Sequence, residues 1–488
     1  MTSTLASYWS STEPLVHLFL VDFLLRGALV VWVLIRKSKT PQTALTWIVL
    51  IIALPFVGLV VYLLIGETRL GKWRRRRHAH ALETIDRPEV RASADPKTHV
   101  ELETPSKQIA SVAEQVSDAP TVGGNRLKLL GDSKEFVDLL VEDINGARNH
   151  VHMLYFIYLD DHSGRRVADA LLAAVERGVH CRLLVDGVGS KAFLKSKLHH
   201  RMKAGGVRIA ACLPVNPVRM LFARIDLRNH RKIGVIDGQI GYTGSNNLAD
   251  AAFAVKPKYA PWVDCTVRID GPATKELQVL FLEDWYMETD EFLEEELCFR
   301  PTVHDDGLPV QVIATGPNFY TEATTQLIQA CSQIARRELV LTTPYFVPDQ
   351  ATITNLQVAA RRGVAVTLVV PRNNDSWLVG SASRSNYESL LKAGVRVMEF
   401  RKGLLHAKTI TVDKDIAFVM SANLDRRSYE LNFECGGIIY DTDFASELRF
   451  LQQHYMDNSD PISLETWLKR PLAARVRDSA AGLMSPLL

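Results

Sequence analysis

The stretch Arg228–Asn247, RNHRKIGVIDGQIGYTGSNN, decides how the rest of the chain is read. Lys232–Ile236 is rich in β-formers, Asp237-Gly238 is a two-residue turn signal, and Gln239–Thr243 runs back, so the spacing predicts a β-hairpin. Alternate residues of a strand share a face, which sets His230 beside Lys232. A two-residue turn at Asp237-Gly238 also fixes a register in which Ser245 lies opposite His230. An imidazole, an ammonium group and a hydroxyl on one spot make a site for an anion, and phosphate is the expected one.

A second copy lies downstream. LLHAKTITVDKDIAFVMSANLD carries His406, Lys408 and Asp413 at the same spacing as His230, Lys232 and Asp237. Ser421 and Asn423 follow at the offsets of Ser245 and Asn247. One such match is weak, because a surface His and Lys on a hairpin would produce it. Two matches with the same trailing Ser-x-Asn, each on an expected hairpin, argue against accident.

The repetition extends to the flanks. Val151–Tyr158 reads as a strand, Arg166–Arg177 as a helix and Cys181–Val185 as a strand. Leu339–Phe346 matches the first strand, with Tyr345-Phe346 set against Tyr155-Phe156. AAVERGV at Ala173 is echoed by AARRGVA at Ala359, and KAGGVRI at Lys203 by KAGVRVM at Lys392. The expected fold is α/β, with two duplicated α/β units packed as a pseudo-dimer so that the two hairpins face each other and form one site. The halves differ before their hairpins, where Val207–His230 is longer than Val395–His406. The extra VNPVRMLFARIDLRNH, with Arg219, Met220, Leu221, Phe222, Arg224 and Arg228, suits an acyl chain beside a phosphate, or is an ordinary packed loop.

The chain of 488 residues is 47% hydrophobic, enough for two or three cores, and its net charge of +2 gives no global field for nucleic acid. Cys181, Cys212, Cys265, Cys298, Cys331 and Cys435 are scattered without a C-x-x-C pair, as expected of reduced, mostly buried thiols. Leu15–Ile35 is apolar for about one bilayer crossing and carries Asp22 and Arg26 on one helical face. Ala44–Ile65 is uncharged, with Pro55 and Gly58 inside and Trp47 and Tyr62 as expected interfacial anchors. A cleaved signal peptide does not fit the first stretch, since no basic residue precedes it and no small-residue cleavage site is evident. Two crossings would put Arg36, Lys37 and Lys39 on the opposite side from Arg69, Lys72 and Arg74–Arg77, so both clusters cannot be cytoplasmic. The larger one is expected to win, which places the bulk of the protein in the cytoplasm, with the first span either crossing at a cost or lying partly in the interface. Arg74–Arg77 would also suit anionic head groups.

The division expected is a membrane anchor over 1–70, a basic and polar linker over 71–122 with one short helix at Lys107–Val116, α/β units over 123–305 and 306–461, and a basic tail over 462–488. The tail, with Trp467, Lys469, Arg470, Arg475 and Arg477, reads equally as a membrane-surface segment or a solvated helix.

Together the two motifs resemble the mark of the phospholipase D superfamily, two His-x-Lys-x4-Asp motifs each trailed by Gly-Ser-x-Asn. Within it the chain is similar to the bacterial cardiolipin synthases of the A type, through LPFVGLVVYLLIGE, TTPYFVP, GLLHAKTITVD, NLDRRS and WLKRPL as well as the first hairpin. Met420 departs from the pattern, standing where the family has Gly in the second trailing motif. The resemblance implies two phospholipase D-like domains and conversion of two phosphatidylglycerol molecules to cardiolipin and glycerol, with no cofactor or metal. The implied partners are phosphatidylglycerol, other anionic phospholipids and the membrane, without nucleic acid.

In the implied chemistry Lys232 and Lys408 offset phosphate charge, while Ser245, Asn247, Ser421 and Asn423 bind the nonbridging oxygens. His230 is the expected nucleophile and His406 the acid and base. Asp237 and Asp413, grouped by the family with the active site, fall at turns on the other strand parity and read as braces. Asp264 in PWVDC and Glu434 in NFECG would hydrogen-bond the histidines and fix their tautomers, by resemblance. A membrane-bound phospholipase D that makes phosphatidic acid would use the same motifs. A nuclease is disfavoured by the spans and the lack of a long basic groove, and a non-catalytic lipid-binding scaffold by the presence of both histidines.

Overall fold

The computed structural model describes residues 2–35, 41–54, 56–66, 77, 80, 95–118, 120–214, 224, 226–253, 255–293, 299–317 and 322–485. Arg36, Lys37, Lys39, Arg69, Lys72, Arg74–Arg76, Arg219–Phe222 and Cys298 lie outside the described residues. The other five cysteines are buried and form no disulfide among the described residues, as their scatter implied.

Two units make up the chain, an N-terminal helical one and a large α/β one. In the first, α1 (Thr2–Ile35) includes a 20-residue apolar run, Val16–Ile35. At ~1.5 Å per residue that run matches the hydrocarbon thickness of a bilayer. The second hydrophobic segment is not one helix. It divides into α2 (Pro41–Ala53) and α3 (Val57–Ile65), on either side of a proline whose ring has no N–H to continue the ladder.

The two arms fold back on each other. Trp47 and Tyr62 meet edge to face with ring centroids 5.3 Å apart, where a straight helix would hold them about 22 Å apart. A Cβ on Gly58 would lie 2.5 Å from the Leu50 carbonyl oxygen. Both rings are therefore buried inside a hairpin instead of serving as interfacial anchors. Asp22 and Arg26 pair at 2.5 Å and also serve the bend. The Asp22 carboxylate accepts from the Phe56 N–H at 3.2 Å, and Arg26 donates to the Ile52 carbonyl at 3.2 Å. These contacts satisfy backbone groups that a broken helix leaves open.

In the α/β unit, α4 (Ser106–Ser117) is the short helix expected in the linker, but it packs Ile109 and Ala113 into the core of the second half. The first half supplies β1 (Thr121–Leu130), α5 (Ser133–Gly146), β2 (His150–Tyr155), α6 (His162–Glu176), β3 (His180–Asp186), β4 (Arg208–Cys212), β5 (Ile233–Ile236), β6 (Ile240–Gly244), β7 (Thr266–Asp270) and α7 (Thr274–Thr289). The second supplies β8 (Leu308–Thr315), α8 (Ala323–Ile334), β9 (Glu338–Thr342), α9 (Gln350–Arg361), β10 (Ala365–Pro371), α10 (Trp377–Ser385), β11 (Arg396–Phe400), β12 (Thr409–Val412), β13 (Ile416–Met420), β14 (Asn432–Ile439) and α11 (Thr442–Asp457), followed by α12 (Leu472–Leu483).

All fourteen strands join one sheet. Read outward from the seam, one side runs β1-β7-β6-β5-β2-β3-β4 and the other β8-β14-β13-β12-β9-β10-β11, the same order twice. At the seam β1 and β8 are antiparallel, with Thr121 facing Gln311 and Val122 facing Val310. An approximate two-fold axis therefore passes between them. Local signals repeat as well. Asp161 caps α6 through the Gly164 N–H (2.9 Å) and Asp349 caps α9 through the Thr352 N–H (2.7 Å). Each of these helices ends at an Arg-Gly whose glycine, Gly178 or Gly363, takes φ 88° or 94°.

Two details of the sequence reading are corrected. Val151 pairs with Ile236 and Leu339 with Val412, while Tyr158 bridges Leu248 and Phe346 pairs with Leu424. Phe346 is thus the counterpart of Tyr158, two residues from the match with Phe156. In the first hairpin Ile236 faces Ile240 and Ile233 faces Thr243, so the turn is Asp237–Gln239, one residue longer than expected. That shift removes Ser245 from the position opposite His230.

Candidate active site

The two hairpins reach the seam at the entry to β5 and β12, and each is pinned there by the other half. Arg228-Asn229 pairs in parallel with Asn432-Phe433, and the His230 N–H donates to the Phe433 carbonyl at 2.8 Å. Leu404-Leu405 likewise pairs with Trp262-Val263, and the His406 N–H donates to the Val263 carbonyl at 2.7 Å. Gly403 permits the second crossing, since it sits at φ 96° and a Cβ there would approach the Pro261 carbonyl oxygen to 2.1 Å.

Side chains repeat the exchange. His230 Nδ1 lies 2.8 Å from Glu434 Oε2, and His406 Nδ1 lies 2.6 Å from Asp264 Oδ1. Each acid therefore serves the histidine of the opposite half. A carboxylate accepting from Nδ1–H leaves the lone pair on Nε2. Ser245 and Ser421 behave differently from the expectation of phosphate contact. Each hydroxyl donates to the acid at 2.6 Å, Ser245 to Asp264 and Ser421 to Glu434, while accepting from Cys265 N or Cys435 N at 2.9 Å. Their hydrogens are committed to bracing the carboxylates.

Lys232 and Lys408 each donate from Nζ to the carbonyl of their own histidine, His230 or His406, at 2.6 Å. All four basic groups are buried. Burial pushes Lys232 down to about 8 and Lys408 down to about 7. Burial likewise holds both imidazoles below their ordinary value, and each feels the lysine of the other half as well as its own. For Asp264 and Glu434, burial acts upward, but the facing imidazole and lysine charges carry both carboxyls below the usual range. A site of this kind holds two neutral, tautomer-fixed imidazoles beside two lysines and two carboxylates of balancing charge.

The asparagines stand close by. Asn247 Oδ1 accepts from the Ile157 N–H at 3.1 Å, and its buried Nδ2 has no partner among the described residues. The Asn423 N–H donates to Ser428 Oγ at 3.1 Å, and its Oδ1 is buried without a partner among the described residues. Asp237 and Asp413 are placed elsewhere, in the hairpin turns. Asp237 accepts from the N–H groups of Arg148, Asn149 and His150 at 2.8, 2.8 and 2.9 Å. Asp413 accepts from those of Arg336, Arg337 and Glu338 at 2.8, 2.7 and 2.8 Å. Both carboxylates tie a turn to the start of the neighbouring strand, β2 or β9.

Several neighbours escape a motif search. Phe156 packs edge-on against His230 with centroids 4.9 Å apart, and Trp262 lies over His406 at 4.5 Å. Trp262 is two residues before Asp264 and shares its face, so strand periodicity would have found it. Arg231 is fully buried, bonded to Asp284 of α7 at 2.8 Å, and Asp284 also accepts from Asn229 at 3.0 Å. Nothing in the local sequence joins those positions.

Comparisons with known proteins bear on the fold that carries this site. Residues 140–285 and 327–454 match the family described as "Cardiolipin synthase, PLD-like domain", and residues 27–67 match one described as "Phospholipase_D-nuclease N-terminal". The chain is 37% identical to a cardiolipin synthase A of Proteus mirabilis over 96% of its own length and 98% of the relative's. It is 36% identical to one of Salmonella arizonae, over 93% and 95%. A solved phosphatidylserine synthase of Haemophilus influenzae, 14% identical, superposes over 78% of this chain and 100% of its own with a TM-score of 0.59, which shows a shared fold.

Proposed function

The chain belongs to the cardiolipin synthase, phospholipase D-like family, and from that premise we propose that it moves a phosphatidyl group from one phosphatidylglycerol to another, giving cardiolipin and glycerol. The observation that supports this reading best is the exchanged pair of histidine–carboxylate contacts, 2.8 Å at His230 and 2.6 Å at His406. It holds each imidazole by Nδ1 from the opposite half and leaves the Nε2 lone pair to act.

The phosphodiester enters as an anion between Lys232 and Lys408, with the Asn247 and Asn423 amides on its nonbridging oxygens. Its charge offsets the lysines that hold down the proton affinity of His406, so His406 takes up a proton. His230 Nε2 attacks phosphorus, the bond from phosphorus to the glycerol oxygen breaks, and His406 gives its proton to the departing oxygen. The hydroxyl of a second phosphatidylglycerol then returns a proton to His406 and attacks phosphorus. The P–N bond breaks, and neutral His230 is restored. The phosphodiester energy is kept throughout, so no nucleotide enters. Asp264, Glu434, Ser245 and Ser421 hold the imidazoles, and Asp237 and Asp413 hold the hairpins.

The chain is a membrane protein, and a bacterial inner membrane with the α/β unit in the cytoplasm fits its helices. The α2 and α3 arms, 13 and 9 residues long, are each short of the ~20 residues that a crossing needs. A hairpin that enters and leaves on one side returns the chain to the side where α1 ended. Arg36–Lys39 and Arg69–Arg77 then share the cytoplasmic face, and the conflict created by two full crossings disappears.

Incubation with labelled phosphatidylglycerol tests the reaction. Wild type should give cardiolipin and glycerol, while His230→Ala and His406→Ala should give neither. Phosphatidic acid in place of cardiolipin would make the protein a hydrolase.

A further inference from the structure

The C-terminal helix α12 buries one face on α10, with Ala481 against Ala382 and Val347. Asp478, on the same side, is buried and paired with Arg470 at 2.7 Å and Arg477 at 3.0 Å. The opposite face has no cover among the described residues. At about 100° per residue, Leu472, Val476 and Leu483 fall within roughly 40° of one another, and they are 74%, 58% and 77% exposed. Arg475 and Arg477 flank this stripe on its two shoulders. Trp377, which opens α10, is 71% exposed.

We propose that this face of α12, with Trp377, is a second membrane contact, carried by the α/β unit itself and docked on an anionic bilayer. An apolar stripe between two guanidinium groups is the pattern of a helix lying in the interface, acyl chains meeting the leucines while the arginines reach up to phosphates. Charge decides the partner: residues 462–488 carry Lys469, Arg470, Arg475 and Arg477 against Glu465 and Asp478, a surplus of two positive charges that suits an anionic surface. Contacts run from this surface toward the site. Two residues before Trp377, Asp375 accepts from the Tyr345 hydroxyl at 2.7 Å and pairs with Lys256 at 2.6 Å. The segment that bears Lys256 leads to Trp262 over His406. A bilayer held at α12 would present lipid head groups near that segment.

The test uses the full-length chain in vesicles. Val476→Cys and Leu483→Cys carry an environment-sensitive dye, with unlabelled-site wild type subtracted; the described native cysteines are buried. In phosphatidylglycerol-containing vesicles the dye should be quenched by brominated acyl chains, and aqueous iodide should quench it at least about threefold less than in neutral vesicles. Adding Arg475→Glu and Arg477→Glu should restore iodide access. A dye open to iodide in anionic vesicles overturns the proposal, as does equal insertion in neutral ones. Shielding from both quenchers, with cross-linking between copies, overturns it in favour of a self-interface.

Discussion

His230 of the first half and Glu434 of the second, 204 positions apart in the chain, meet at 2.8 Å, and His406 meets Asp264 of the first half in the same way. Neither half therefore owns a complete histidine site. An amide in the acceptor's place removes the charge that holds Nδ1–H and can turn its N–H to the imidazole, which favours the wrong tautomer. Glu434→Gln and Asp264→Asn should each lower kcat for cardiolipin formation by about 10²–10⁴-fold, with KM nearly unchanged and the melting temperature held. Steady-state kinetics on both variants checks this. A rise in KM alone would show that the acids bind lipid instead.

The lysines set the alkaline limit. Burial lowers Lys232 to about 8 and Lys408 to about 7, so each loses its proton at a lower pH than the ~10.4 of an exposed lysine. The charged form is the one needed for phosphate. kcat/KM should thus fall as pH rises through 7 to 8, with Lys408 discharging first. Both imidazoles, pushed down by burial, should stay neutral at the pH near 6.5 where an ordinary histidine titrates, as nitrogen chemical shifts of the lipid-free protein would report. A rate profile flat to pH ~10 would contradict the argument.

The duplicated α/β plan was legible because repetition survives divergence. His230 and His406, the Arg-Gly helix ends and the Asp caps all recur in order. What spacing could not give was any property fixed by pairing between halves. The exchange of Asp264 and Glu434 follows from Asn229 lying along Phe433 and Leu405 along Val263, contacts with no local trace. A single residue in the turn after Ile236 moved Ser245 off its expected place, since register is all-or-none. The interruption at Pro55 was visible in the sequence, but the fold-back of Tyr62 onto Trp47 depends on α1, where Asp22 accepts from the Phe56 N–H.

Met420 stands where the first half has Gly244, and its partner explains how the strand accommodates it. Met420 faces Gly436 across β13 and β14, whereas Gly244 faces Thr266 across β6 and β7. Bulk has changed strands. The following serines keep the same bond, Ser421 N to Cys435 O and Ser245 N to Cys265 O, both at 2.8 Å. Gly436→Thr should therefore be destabilising, since a Cβ there meets Met420 Cγ at 2.8 Å. Met420→Gly should cost about 2–5 kcal/mol through the cavity it opens. The double variant should be more stable than the two single costs sum to, measured by denaturant unfolding as a double-mutant cycle. Strict additivity would mean that the pair does not compensate.

Asp237 and Asp413 each collect three backbone N–H groups in a hairpin turn. Removing either carboxylate leaves those donors to find water. Asp237→Ala and Asp413→Ala should lower stability by about 2–4 kcal/mol, with the folded fraction retaining kcat/KM within about threefold. Thermal melts beside activity per folded molecule separate the cases. A loss of several hundredfold in rate at unchanged melting temperature would give these acids a chemical role.

The hairpin makes a topological prediction opposite to that of two crossings. Cysteines placed at Lys39 and Arg69 should both react with an impermeant thiol reagent from the cytoplasmic side only. Two full spans would leave one of them reactive from outside. Asp22 is what holds the bend, through the Phe56 N–H and Arg26, which also donates to the Ile52 carbonyl. Asp22→Leu strands the Phe56 N–H and leaves the Arg26 charge without its partner, a cost of about 1–3 kcal/mol for the orphaned donor and more for the charge. In that variant the arms have reason to straighten into one longer helix, which moves residue 69 to the far side while residue 39 stays. Reagent access at 69 should therefore change sides in Asp22→Leu and keep its side in Asp22→Asn, whose amide oxygen still accepts from Phe56. Unchanged access in both would show that the bend is set by the proline region alone.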